Sequence, residues 1–164
     1  MSEIIKVFKE SVPAMRFIGL KYGQFTAWSE AFGWFDKIEQ AMGGVQAIKE
    51  IWENGGGYVG LERKHESEPF EYWIGMFTPA GTPVPEGLQY VDFPKGHLGT
   101  CWIYAGENEI RDTSLCGQKL KEAGYEITPD EYGGVWSFEN CTCPRFTTPD
   151  EKGKIIDDYC YFIK

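Results

Sequence analysis

Residues Thr78-Pro79-Ala80-Gly81-Thr82-Pro83-Val84-Pro85-Glu86-Gly87 hold three prolines and two glycines in ten positions. Proline lacks the amide proton that helices and sheet ladders require, so no regular element runs through this block. It splits the chain in two, and the two parts read alike. Before it, a strand is expected over 12–23. A helix follows over 26–42, with Thr26 as N-cap and Trp28, Ala31, Phe32, Phe35, Ile38 and Met42 on one stripe. Gly43-Gly44 stops that helix, a second helical piece covers 45–53, and strands follow over 58–65 and 70–77. After the block, two strand-like runs in 88–105 are broken by Pro94-Lys95-Gly96. A mostly polar helix over 108–123 comes next, then strands over 134–143 and 155–163.

The pattern therefore predicts an α+β fold of duplicated strand-helix-strand-strand modules: one pseudo-repeat over 10–78, a connector at 79–87 and a second pseudo-repeat over 88–164 within one domain, 1–164. Neither module buries a face alone. Joining them as one antiparallel sheet, with both helices on one face, leaves a central cleft between the helices, a usual kind of small-molecule site.

Charge narrows the partners. Sixteen Lys and Arg stand against 25 Asp and Glu, a net charge of −9, and the longest basic run is Arg63-Lys64. Phosphate-backbone binding needs clustered cations, so direct nucleic-acid binding and an anionic membrane are excluded as expectations. No stretch approaches the ~18 apolar residues of a membrane span, and the N-terminus lacks a signal-peptide core, so a cytoplasmic protein is expected. Cys101, Cys116, Cys141, Cys143 and Cys160 do not form a secreted disulfide pattern, and reduced thiols are the default. Cys141-Thr142-Cys143 has no second ligand pair, and with His65 and His97 the only histidines, neither a metal nor a cofactor is expected. Nucleophile-elbow, phosphate-loop and dinucleotide motifs are absent.

Aromatic residues make up 16% of the chain, more than a small core needs, so some rings are expected to face a ligand. Alternation along 70–77 puts Glu71, Trp73, Gly75 and Phe77 on one face. Ile156, Asp158, Cys160 and Phe162 share a side of the last strand, and Val135, Ser137, Glu139 and Cys141 a side of the one before. A carboxylate among rings attracts a cation or, desolvated, works as a general acid or base. Trp34 lies off the main helical stripe and is expected to look into the inter-helix groove.

Several phrases together resemble the GyrI-like family, the small-molecule effector-binding domain of bacterial transcription regulators. Val12-Pro13-Ala14-Met15-Arg16-Phe17-Ile18-Gly19-Leu20 looks like its first strand. Tyr72-Trp73-Ile74-Gly75, Pro83-Val84-Pro85-Glu86-Gly87-Leu88 and Ala123-Gly124-Tyr125-Glu126 look like its middle, and Asp158-Tyr159-Cys160-Tyr161-Phe162-Ile163 like its closing strand. The resemblance implies an aromatic cleft for bulky, often cationic drugs, with a glutamate on the closing strand where this chain has Asp158, and Phe162 where proline is usual. With a first strand beginning near residue 12, a stand-alone member without a DNA-binding helix-turn-helix is expected. Thr100-Cys101-Trp102-Ile103-Tyr104-Ala105-Gly106-Glu107 looks more like the stand-alone branch, which includes hydrolases of cyclopropane-bearing alkylators.

The residues and the resemblance together lead first to a stand-alone cytosolic binder of hydrophobic or cationic drug-like molecules; the alternative is a hydrolase of reactive cyclopropane-bearing or similar xenobiotics in the same cleft, and the second alternative a protein-protein modulator of a nucleic-acid enzyme such as gyrase. The expected ligand-binding residues are Trp34, Glu71, Trp73, Phe77, Trp102, Trp136 and Asp158. Catalytic residues and oligomeric state stay open.

Overall fold

The computed structural model describes residues 3–24, 32–105 and 113–164. Thr26, Trp28, Ala31 and the first turn of the helix expected over 108–123 lie outside them. The described elements run β1 (Ile4–Val12), β2 (Met15–Tyr22), α1 (Phe32–Met42), α2 (Gln46–Lys49), β3 (Tyr58–Lys64), β4 (Glu71–Pro79), β5 (Gln89–Phe93), β6 (Gly96–Ala105), α3 (Ser114–Glu122), β7 (Val135–Cys141) and β8 (Ile155–Ile163). Every pairing is antiparallel, and the eight strands form one sheet in the order β1-β6-β8-β7-β3-β4-β2-β5.

Two expectations about elements need correction. The chain does not begin its sheet near residue 12: β1 precedes that point and pairs with β6. As an edge strand carrying Lys6, Lys9 and Glu10, it lacks the clean apolar alternation of a buried strand. The helical piece expected over 45–53 is only one turn, α2, which buries Ile48, and Trp52 just beyond it joins the same core cluster. The stop after α1 is as expected: Gly43 and Gly44 both take positive φ, 82° and 104°, where a side chain is strained.

Register places both long helices on one face. Ile74, Gly60, Glu139 and Tyr159 are successive partners across β4, β3, β7 and β8, so their side chains point the same way. Ile74 packs with Phe35 and Ile38 of α1, and Tyr159 packs with Cys116 of α3.

The other face is rolled inward. β1 and β2 are joined by Pro13 and Ala14 alone, yet stand first and seventh in the sheet; β5 and β6 are joined by Pro94 and Lys95 alone, yet stand eighth and second. Three Cα steps span at most about 11 Å, so distant strands must come together at both corners. They do: Phe93 of β5 stacks on Phe162 of β8 at 4.6 Å and 9° between ring planes. All eight strands contribute to the resulting core, including Phe17, Trp73, Phe77, Leu98 and Phe138, and Trp52 caps it against Phe77 and Phe138. Gly19 and Gly75 face each other between β2 and β4. A Cβ on either would overlap the carbonyl oxygen of Ile74 or Ile18, so this close approach admits only glycine. No described helix is long and apolar enough to cross a membrane.

Candidate functional site

At one end of the rolled face a cavity of about 780 Å³ opens beside the stacked pair Phe93 and Phe162. Trp136 meets Phe93 edge-on at 5.3 Å and forms the third wall. β5, β8 and β7 supply these rings, so the wall exists only because the sheet curls. The rim is charged. Glu68, Glu71, Asp92, Asp130 and Glu131 line it against Arg63 and Lys95.

Asp130 organises this rim. One carboxylate oxygen accepts from Arg63 Nε at 2.8 Å and Trp136 Nε1 at 2.9 Å; the other accepts from the Gly134 amide at 2.8 Å and the Tyr132 amide at 2.9 Å. Burial opposes ionisation here, but these donors outweigh it and hold the Asp130 carboxyl well below the usual carboxylate range. Arg63, with a side chain only 7% exposed, also pairs with Glu68 and lies 3.6 Å from Glu71. Its guanidinium is raised above its ordinary range, first by the hydrogen bond to Asp130, against the effect of burial. A Cβ at Gly134 would overlap the guanidinium, so a larger residue there would have to push Arg63 off Asp130. Glu71, at the mouth, accepts from Trp73 Nε1 at 3.2 Å.

The seven residues singled out in the sequence separate in space. Glu71 and Trp136 line the cavity. Trp73 and Phe77 lie on the same sheet face but are buried in the core, where both meet Phe17 edge-on. Trp102 and Asp158 lie on that face as well, in a separate cluster: Arg145 donates through Nε to Asp158 Oδ1 at 2.7 Å and through Nη2 to Asn54 Oδ1 at 2.9 Å, with its guanidinium 4.7 Å from the Trp102 ring. Burial raises the Asp158 carboxyl while its ion pair with Arg145 pulls it back. Trp34 is on the opposite face, against Phe35. Six of the seven therefore point away from the groove between the helices.

That groove has its own buried chemistry. Tyr159 Oη donates to Glu62 Oε2 at 2.9 Å and lies 3.0 Å from Ser137 Oγ. Burial, then the charge of Glu62, raises the Tyr159 phenol above its ordinary range. A second cavity of about 720 Å³ lies alongside, lined among others by Glu39, Tyr58, Glu139, Cys141 and Phe146. Glu139, Cys141 and Asp157 have donor atoms within 4.8 Å of one another, the set among the described residues that could approach a metal together.

Sequence reasoning missed Arg63, Asp130, Phe93 and Glu62. Arg63 and Asp130 are 67 positions apart, and no periodicity links them. The one available signal was Arg63 itself, a charged residue at a core-facing strand position in phase with Val59 and Leu61.

Two solved structures share this architecture. The C-terminal domain of EcmrR aligns over 97% of this chain and 97% of its own, at a TM-score of 0.51 and 8% identity. The protein SAV2435, solved bound to tetraphenylphosphonium, aligns over 98% of this chain and 94% of its own, at 0.50 and 12%. The chain has the GyrI-like fold. No family model matches its sequence and no curated protein does, so the GyrI-like assignment is one of fold.

Proposed function

We propose that this protein binds an apolar organic cation in the cavity walled by Phe93, Trp136 and Phe162. The observation that carries the reading is the rim: five carboxylates against Arg63 and Lys95, around three rings. Arg16 holds Asp92, and Arg63 pairs with both Asp130 and Glu68, so the single charge of Arg63 does not balance its partners and, with Glu71 and Glu131 also lining the mouth, the field there stays acidic. About 780 Å³ lies within the ~300–1,000 Å³ usual for small-molecule sites. Each cation-ring contact is worth about 0.5–2 kcal/mol depending on desolvation. The tetraphenylphosphonium bound to SAV2435, a protein of the same fold, is a ligand of this chemistry. The protein acts in the cytosol on this reading, as five cysteines without a disulfide suit.

The test is a calorimetric titration with tetraphenylphosphonium and with neutral triphenylphosphine oxide. Saturable binding of the cation, at least about tenfold tighter than the neutral compound and weakened by both Trp136→Ala and Glu71→Gln, is expected. Equal affinities, or indifference to both substitutions, refutes the reading. Recovery of intact ligand after saturation separates binding from hydrolysis.

A further inference from the structure

Cys101 and Cys116 come from different elements and meet in a place the ligand cavity does not touch. Cys101 lies in β6 on the helix-covered face, with Val7 and Tyr159 as its partners in the neighbouring strands. Cys116 lies in the first turn of α3. Both are fully buried with Ile103 and Tyr159, and their sulfurs are in direct contact, 2.6 Å apart. The remaining thiols are placed otherwise: Cys160 is on the opposite face beside Thr100, Cys141 lies near Glu139, and Cys143 is exposed. Packing alone does not ask for sulfur at both positions, since two small apolar side chains fill such a space as well. A sulfur pair in direct contact has a reaction that methyl groups lack.

We propose that Cys101 and Cys116 are an oxidisable pair that closes into an internal disulfide when the protein meets hydrogen peroxide. One sulfur attacks a peroxide oxygen, the O–O bond breaks, and a sulfenic acid and one water result. The second sulfur displaces that hydroxyl, the S–S bond forms and a second water leaves. Two thiols are oxidised by two electrons and one peroxide is reduced to two waters. The new bond ties the start of α3 to β6, across the segment 106–112, and fixes the helix on the sheet. The contact with Cys101 and burial both push the Cys116 thiol far above its ordinary range. The thiolate therefore forms when the first turn of α3 opens, and closure is slow compared with that of an exposed redox sensor.

The test uses the full chain, exposed to hydrogen peroxide, with free thiols counted after denaturation and digests analysed by mass spectrometry. Of five free thiols, two are expected to disappear, and the cross-linked peptides are expected to be those carrying residues 101 and 116. Closing a loop of about 15 residues is expected to raise Tm by about 5–10 °C. Cys160→Ser leaves the cross-link intact, whereas Cys116→Ser and, independently, Cys101→Ala abolish it. No cross-link between residues 101 and 116 after prolonged exposure, or a cross-link that persists in either of the last two variants, overturns the proposal. Neither outcome depends on the ligand cavity.

Discussion

Replacing Asp130 by asparagine tests the carboxylate that holds the candidate site together. The asparagine carbonyl can keep one pair of partners, either the Gly134 and Tyr132 amides or the Arg63 Nε and Trp136 Nε1 groups. Its NH2 then faces the other pair, which are themselves donors. Two hydrogen bonds to a charged acceptor are lost whichever way the amide turns. Each is worth about 1.5–3 kcal/mol when buried, and the 23% exposure of the Asp130 side chain reduces the total to about 2–4 kcal/mol. For a chain of this size that corresponds to a Tm lower by roughly 5–12 °C at pH 7. Differential scanning calorimetry measures it.

The pH profile adds a second check. The carboxyl is held below its ordinary 3.8 in the folded protein, so its contribution is complete above the unfolded value and is lost as pH falls through and below it. The gap between wild type and Asp130→Asn should be constant from about pH 5 to 7 and shrink steadily below about pH 4. A gap under about 1 °C at pH 7, or one that stays undiminished in acid, would refute the account of Asp130 as a charged hub.

Three other substitutions probe the scaffold. Gly75→Ala places a Cβ on the Ile18 carbonyl oxygen and should abolish soluble, folded protein, whereas Gly33→Ala, in open space on α1, should raise stability by about 0.5–1 kcal/mol in urea unfolding; equal behaviour of the two contradicts the close approach of β2 and β4. Tyr159→Phe removes the donor to Glu62 and the partner of Ser137 inside the sheet, and should cost about 1–3 kcal/mol; a neutral result in the same unfolding assay would show that the chain Glu62, Tyr159, Ser137 is solvated.

The elements that were legible are those written in local pattern. β8 spans Ile155–Ile163, the same residues expected from its alternation and the Pro149 and Gly153 before it. The faces of β4 were readable for the same reason, with Trp73 and Phe77 in one cluster and Tyr72, Ile74 and Met76 in another. β1 was not legible, because an edge strand has no need of a buried face on both sides. The candidate site was legible only in part. Glu71 and Trp136 stood out as an acid and a ring on strands, but Asp158 stood out equally, and only the structure shows it paired with Arg145 outside the cavity lining.

What the sequence by itself determined is where chain direction and local conformation change: the Pro-rich connector, the Gly43-Gly44 stop, the strand alternations and the acidic, aromatic composition. Each follows from φ preferences, missing amide protons and side-chain periodicity, which act within a few residues. Only the tertiary structure decided which sheet face became the cavity wall and which charges met there. The corners at Pro13-Ala14 and Pro94-Lys95 are visible as breaks, but the placement of β1 and β5 at opposite ends of the sheet is not. That placement brings Phe93 onto Phe162, and the return of the chain past β3 sets Asp130 against Arg63. Contacts of this kind depend on global closure of the sheet rather than on any local preference, so no window of sequence contains them.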